Sequence, residues 1–237
     1  MPNHFLDSSI LIGSLLKWDP QFNCVTSYMK LGHLTKISSW RAYKESRGVL
    51  ERNRWITVKY LYDLCREFSK PERLIINDRS VFGFTRGYLS SIRNDKARNG
   101  LNRFVVKNIY DITRLLQTKG QELTDYINKI RDTYKTALNF LDIDCNQKKT
   151  SKIIRYDVCP QHYDTIYPVE KGDLIKLIAY PNDVDILLDS YFLQNNEIHD
   201  VIIFVTTDDT HILKNRDKIM RTLNQIIVNH PTECIPP

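Results

Sequence analysis

The chain holds no uninterrupted apolar run near the roughly 18 residues that span a membrane. Its first apolar run follows no cationic stretch and precedes no small-residue cleavage site, so neither leader nor anchor is expected there. The five cysteines, Cys24, Cys65, Cys145, Cys159 and Cys234, are scattered and odd in number. Secreted disulfide frameworks have close, regular spacings, so a reducing, cytoplasmic setting without membrane contact is expected. A glycine-rich phosphate loop, a dinucleotide fingerprint, sequence repeats and low-complexity tracts are all missing. Zinc is poorly served, because Cys159 and His162 in "CPQH", with Cys145, lack a second close pair. No motif for reading a DNA groove is present.

What is present is a chain of 237 residues, long enough to bury a sizeable core. Its 34 Lys and Arg against 28 Asp and Glu leave a formal charge of +6, which permits an anionic partner but says nothing about fold.

"HFLDSSILIGSLL" reads as a short buried strand at Phe5 and Leu6, an aspartate, and a helix from Ile10 to Lys17. "ISSWRAYKESRGVL" puts a serine pair ahead of a helix that carries Glu45 and is expected to end near Gly48; another helical period runs from Trp55 to Phe68. The apolar run in "SKPERLIINDRS" reads as a short strand. Next come Arg86, Arg93, Lys96, Arg98, Arg103 and Lys107, with Asp95 the only acid among them. "RNDKARNGLN" reads either as a solvated loop or as part of a phosphate-binding surface on which Tyr88 and Phe104 stack bases. From Ile109 to Leu141 the helical period is interrupted around Gly120, giving one long helix or two, and an exposed apolar side there would make it a protein-interaction module. "DIDCNQKKTSK" reads as a linker.

The C-terminal third has an α/β rhythm. "PNDVDILLDSYFLQNN" predicts a helix entered through Pro181 and an Asn/Asp cap, and "VIIFVTTDDTH" carries the β-branched run of a parallel strand covered on both faces. "ILKNRDKIMRTLNQ" predicts a helix and "IIVNHP" a closing strand. Two buried strands ending in acids and separated by helices predict an open, mostly parallel α/β sheet.

Such sheets place their sites beyond the carboxyl ends of the strands. Asp7 sits at one such end, Asp208 and Asp209 at another, and Asp183 and Asp185 at the start of a helix. An acid at a helix start is also a good cap, the simpler role for Asp183. Carboxylates that converge repel one another unless a cation sits among them, and an all-oxygen donor set suits Mg²⁺ or Mn²⁺. That chemistry points to phosphodiester hydrolysis with water as nucleophile.

The residues that suggest this chemistry also carry a resemblance. The strand, aspartate, small polar pair and apolar helix at Phe5–Ile12, the glutamate in "SSWRAYKESRG", the acid followed by apolar residues at Asp185, Leu187 and Leu188, and "VTTD" at 205–208 together resemble the PIN-domain family, compact α/β nucleases that include the VapC toxins. "IIVNHPTECI" is similar to the usual family ending. The resemblance implies a three-layer α/β/α fold in a single domain, with core segments about 1–49 and 175–237 and a mainly helical, basic insertion about 50–150. It implies a divalent-metal endoribonuclease in which Asp7, Glu45, Asp185 and Asp208 hold Mg²⁺ or Mn²⁺. Glu51 is the rival to Glu45. Thr206 would orient Asp208 or the attacking water, and Ser9, Asp183 and Asp209 would lie just behind the ligands. RNA is the implied partner; a homodimer and an antitoxin-like or other protein partner stay open, as does a catalytically inactive RNA-binding or scaffold protein.

Overall fold

A computed structural model of the chain describes residues 2–70, 75–118, 121–148, 151–157 and 162–235. One sheet contains six strands, β1 (Asn3–Leu6), β2 (Lys36–Ser39), β3 (Cys145–Asn146), β4 (Ile153–Tyr156), β5 (Ile202–Val205) and β6 (Ile226–Asn229), in the order β3-β4-β2-β1-β5-β6. Every pairing is parallel. Phe5 of β1 aligns with Ile37 of β2 and with Phe204 of β5, and the two phenyl rings stack with centroids 5.5 Å apart. Phe5, Leu6, Ile202, Phe204 and Val205 are all buried. A strand covered on both faces needs such a run, because it has no wet side to give to polar residues.

Helices fill the connections. Helices α1 (Ser8–Gly13) and α2 (Phe22–Met29) lie between β1 and β2; α3 (Trp40–Phe68), α4 (Asp78–Ser90), α5 (Asp95–Thr118) and α6 (Gln121–Asp144) follow. Helices α7 (Tyr163–Ile166), α8 (Pro168–Leu177) and α9 (Pro181–Leu193) precede β5, and α10 (Arg216–Thr222) precedes β6. The result is an α/β fold compatible with three layers. Among the described residues no helix is long and apolar enough to cross a membrane.

The chain divides into two compact units. Met1–Lys17, Gln21–Ser46 and Phe140–Pro237 make the α/β unit; Trp18–Pro20 and Arg47–Asn139 make a helical one. The core of the helical unit includes Tyr60, Leu64, Phe104, Ile112, Leu116 and Tyr134, all buried, with Trp18 edge-on to Phe104 and Tyr134. Gly100 lets α5 approach Asn53 of α3 closely, since a Cβ there would stand 2.8 Å from the Asn53 amide nitrogen.

Several local expectations are corrected. Helix α3 runs through Gly48 without stopping. One interior glycine costs only about 1 kcal/mol, and a helix of 29 residues absorbs it. Of "DIDCNQKKTSK", the acids end α6 and Cys145–Asn146 form β3; a strand of two residues has no period to read. "RNDKARNGLN" is helical from Asp95, started by Asn94, whose side chain accepts the Ala97 N–H at 2.9 Å. The first part of "ERLIINDRS" lies outside the described residues; Ile75 is exposed, and Asn77 and Ser80 form a capping box for α4 where a strand is expected. The break near Gly120 also lies outside them, α5 ending at Thr118 and α6 starting at Gln121. Helix α9 has Tyr180 at its cap position with no side-chain capping hydrogen bond, because Pro181 fixes the first turn and carries Asn182 and Asp183 inside it.

Candidate metal centre

Strand order reverses at the β1–β5 pair, with β2, β4 and β3 to one side and β6 to the other. An open parallel sheet leaves a crevice beyond the carboxyl ends at that point. Asp7 leaves β1 there and Thr206 leaves β5, and the Asp7 N–H donates to the Val205 carbonyl at 3.1 Å.

The Asp7 side chain begins α1 and ties the two strand exits together. Its Oδ1 accepts the Ser8 N–H at 2.6 Å; its Oδ2 accepts the hydroxyls of Ser9 at 2.9 Å and Thr206 at 2.8 Å. The two hydroxyls cross over, Ser9 Oγ accepting from the Thr207 N–H and Thr206 Oγ1 from the Asp208 N–H, both at 3.1 Å. Asp7 is only 4% exposed, and among the described residues no cation pairs with it. Burial pushes its pKa above the usual carboxylate value; the hydroxyls and the Ser8 N–H oppose that, while the charge of Glu45 adds to it.

Glu45, partly buried in α3, faces Asp7 electrostatically and accepts the Asn182 amide at 2.5 Å. Glu51 belongs to the helical unit, is exposed and pairs with Arg47 at 3.2 Å, so Glu45 is the acid on the Asp7 side. Asp208 follows β5; its Oδ1 accepts the N–H groups of Thr210 and His211 at 3.0 Å each, and its Oδ2 lies 3.4 Å from His211 Nδ1. It therefore shapes its own loop. Asp209 is exposed and accepts the Thr210 hydroxyl. Asp183 is buried in the first turn of α9, where the helix dipole favours an acid.

Asp185 has a different neighbourhood. One oxygen lies 3.2 Å from Arg41 and the other 3.4 Å from Lys171, which also pairs with Asp164 at 3.0 Å. One turn further along α9, Asp189 is fully buried, accepts the Tyr163 hydroxyl at 2.6 Å and lies 3.4 Å from Arg41 Nε. Burial pushes Asp189 up to about 6, against hydrogen bonds from Tyr163 and Ser39 and the Arg41 charge. Arg41, Lys171, Asp189 and Tyr163 are outside the site expected from sequence. The readable signal was the Asp185–Asp189 spacing, which puts both acids on one helical face.

Among the described residues no three His, Cys, Asp or Glu side chains are grouped as a ready cage for a metal ion. The donors nevertheless suit a hard divalent cation. They are carboxylate oxygens, and Asp7 is a buried carboxyl group surrounded by neutral donors, whose charged form burial and the charge of Glu45 disfavour until a cation meets it.

The basic residues lie in the helical unit. Arg86 is on α4, Arg93 in the link after it, and Lys96, Arg98, Arg103 and Lys107 on α5. Arg98 pairs with Asp95 at 2.5 Å and Arg103 with Asp19 at 3.6 Å. Lys96, Arg103 and Lys107 share one helical face with exposed Tyr110 and Arg114. Phe104 cannot stack a base, being wholly buried against Trp18, and Tyr88 packs edge-on to Tyr60 with Lys59 over its ring. Tyr110, 72% exposed, is the better-placed ring. Of the zinc candidates, Cys145 is buried in β3 and Cys159 lies outside the described residues. No family model, curated protein or solved structure matches this chain.

Proposed function

We propose that the chain is a divalent-metal-dependent endoribonuclease with a PIN-like α/β unit, hydrolysing RNA phosphodiester bonds at the β1–β5 crevice. The observation that supports this most is Asp7, a buried carboxylate without a cation partner among the described residues, fixed at the point where strand order reverses. A buried charge is costly unless something of opposite sign meets it. Asp7, Glu45 and Asp208 would hold Mg²⁺ or Mn²⁺; Asp185 completes the family pattern by position. Bound there, the ion supplies Lewis acidity toward a phosphoryl oxygen. Ser9 and Thr206 hold Asp7 in one orientation and join it to the Asp208 loop, so the acids keep their places as charge is brought in. Arg86, Arg93, Lys96, Arg98, Arg103 and Lys107 would neutralise backbone phosphates. RNA, as against DNA, follows from the resemblance alone.

Purified protein with Mn²⁺ is expected to cut a panel of single-stranded and hairpin RNAs, and chelation is expected to stop it. Asp208→Asn should abolish cleavage while leaving the fold intact. Cleavage that survives this substitution would remove Asp208 from the site. A second reading, an RNA binder without catalysis, is favoured by Asp208 Oδ1 being occupied by two backbone N–H groups. It predicts binding across the panel and no cutting.

A further inference from the structure

We infer that Arg41 and Lys171 stand where a second metal ion would otherwise be needed: they hold Asp185 out of the metal's ligand set, receive the non-bridging oxygens of the RNA phosphate, and leave the centre with one divalent ion. The inference rests on the nuclease reading.

Charge and distance together support it. Both oxygens of Asp185 are already met by cations, Arg41 at 3.2 Å and Lys171 at 3.4 Å. An ion bound to either oxygen at about 2.1 Å would lie no more than about 5.5 Å from one of these fixed positive groups. The like charges would repel, and among the described residues no cation pairs with Asp7 to oppose an ion there. Arg41 cannot turn away without cost, because Asp189 behind it is fully buried and relies on it for a counter-charge. The guanidinium also lies 5.9 Å from the centre of the Tyr163 ring, and that tyrosine's hydroxyl donates to Asp189.

The cations still reach solvent. Their side chains are 19% and 16% exposed, as is Asp185 at 22%, so an incoming phosphate can compete with Asp185 for the same donors. A planar guanidinium and a flexible ammonium are the two side chains suited to phosphate oxygens. Asp185 then serves as the anion that keeps them apart and oriented until substrate arrives. Lys171 gives up one of two partners, since Asp164 remains beside it at 3.0 Å.

Calorimetric titration with Mn²⁺ tests this, alongside binding of a short single-stranded RNA in metal-free buffer. Wild type should take one ion. Asp185→Asn should keep that stoichiometry, with affinity changed by no more than about twofold, as expected of independent sites. Lys171→Met should leave Mn²⁺ binding alike and weaken RNA binding on the order of tenfold, the loss of a charge-assisted hydrogen bond. Two ions in the wild type, or loss of Mn²⁺ affinity in Asp185→Asn, overturns the inference and leaves the nuclease reading standing. RNA binding unchanged in Lys171→Met also overturns it. Absence of any Mn²⁺ binding by the wild type overturns the nuclease reading, and this inference with it.

Discussion

Asp7 and Asp189 are the same residue type, buried to nearly the same degree within one α/β unit, at 4% and 0% exposure, yet they are satisfied in opposite ways. Asp189 has Arg41 beside it and a tyrosine hydroxyl on its other oxygen. Asp7 has two hydroxyls and one backbone N–H, all neutral, and Glu45 as a further negative neighbour. Neutral donors orient a carboxylate but do not cancel its charge. The Asp189 side already holds a cation, at 3.4 Å and without a hydrogen bond to Asp189 Oδ2, whereas the Asp7 side is fully hydrogen-bonded and has no cation among the described residues.

Breaking the Asp189 side should cost most. Asp189→Ala removes the fully buried acid beside Arg41 and leaves that guanidinium with the partly exposed Asp185, so the loss should fall below the roughly 3–5 kcal/mol of a wholly buried pair but stay the largest of the series. Because Asp189 is pushed up only to about 6, it is ionised at pH 7, where urea unfolding should show a lower midpoint with an unchanged slope. Thr206→Val should cost less, about 1–3 kcal/mol, by leaving the Asp208 N–H without its acceptor. It should also make Asp7 harder to ionise, since it removes a hydrogen bond that favours the charged form.

The smallest effect has the opposite sign. Asp7→Asn relieves charge and keeps shape, and the Ser9 and Thr206 hydroxyls can reverse to accept from the new amide. A stabilisation of about 1 kcal/mol at neutral pH, the ordinary size of a single-residue effect, is expected. Its pH dependence follows from linkage. Asp7 has a folded pKa above its unfolded value, so the folded protein keeps a proton that the unfolded chain has already lost. Wild-type stability from this group therefore falls as pH rises from the unfolded pKa through the folded one. Glu233 shifts downward and acts in the other direction, so the readout is the difference between variant and wild type. That difference should be near zero at the acid end and grow toward neutrality; a constant difference would show that Asp7 is ordinary.

The two sides also differed in how far they could be read from sequence. β1 and β5 are buried on both faces, and their apolar runs end abruptly in Asp7 and in the Thr206–Asp208 turn, so strand and site residues are visible together. Arg41 and Lys171 carry no such mark, because a cation is recognisable only through the acid it meets in space, and Asp185 lies 144 residues from Arg41. Asp189 is not among the site residues expected from sequence; only its burial beside Arg41 shows what it meets. Strand β3 has only two residues and so no period, and β4, as long as β1 and β5, buries only Ile153 fully and lacks their apolar run. Gly48 was misread because a glycine signal carries no information about the helix-forming residues on either side.

The central claim is that Asp7 is the side of this cluster that takes a cation. Mn²⁺ titration of wild type and Asp7→Asn, followed by both heat of binding and thermal unfolding, tests it directly. Wild type should bind saturably and unfold at a higher temperature with the ion present, since a ligand bound only by the folded state stabilises it. Asp7→Asn should lose both responses while remaining folded. Equal Mn²⁺ binding by the two proteins, or none by either, would contradict the account.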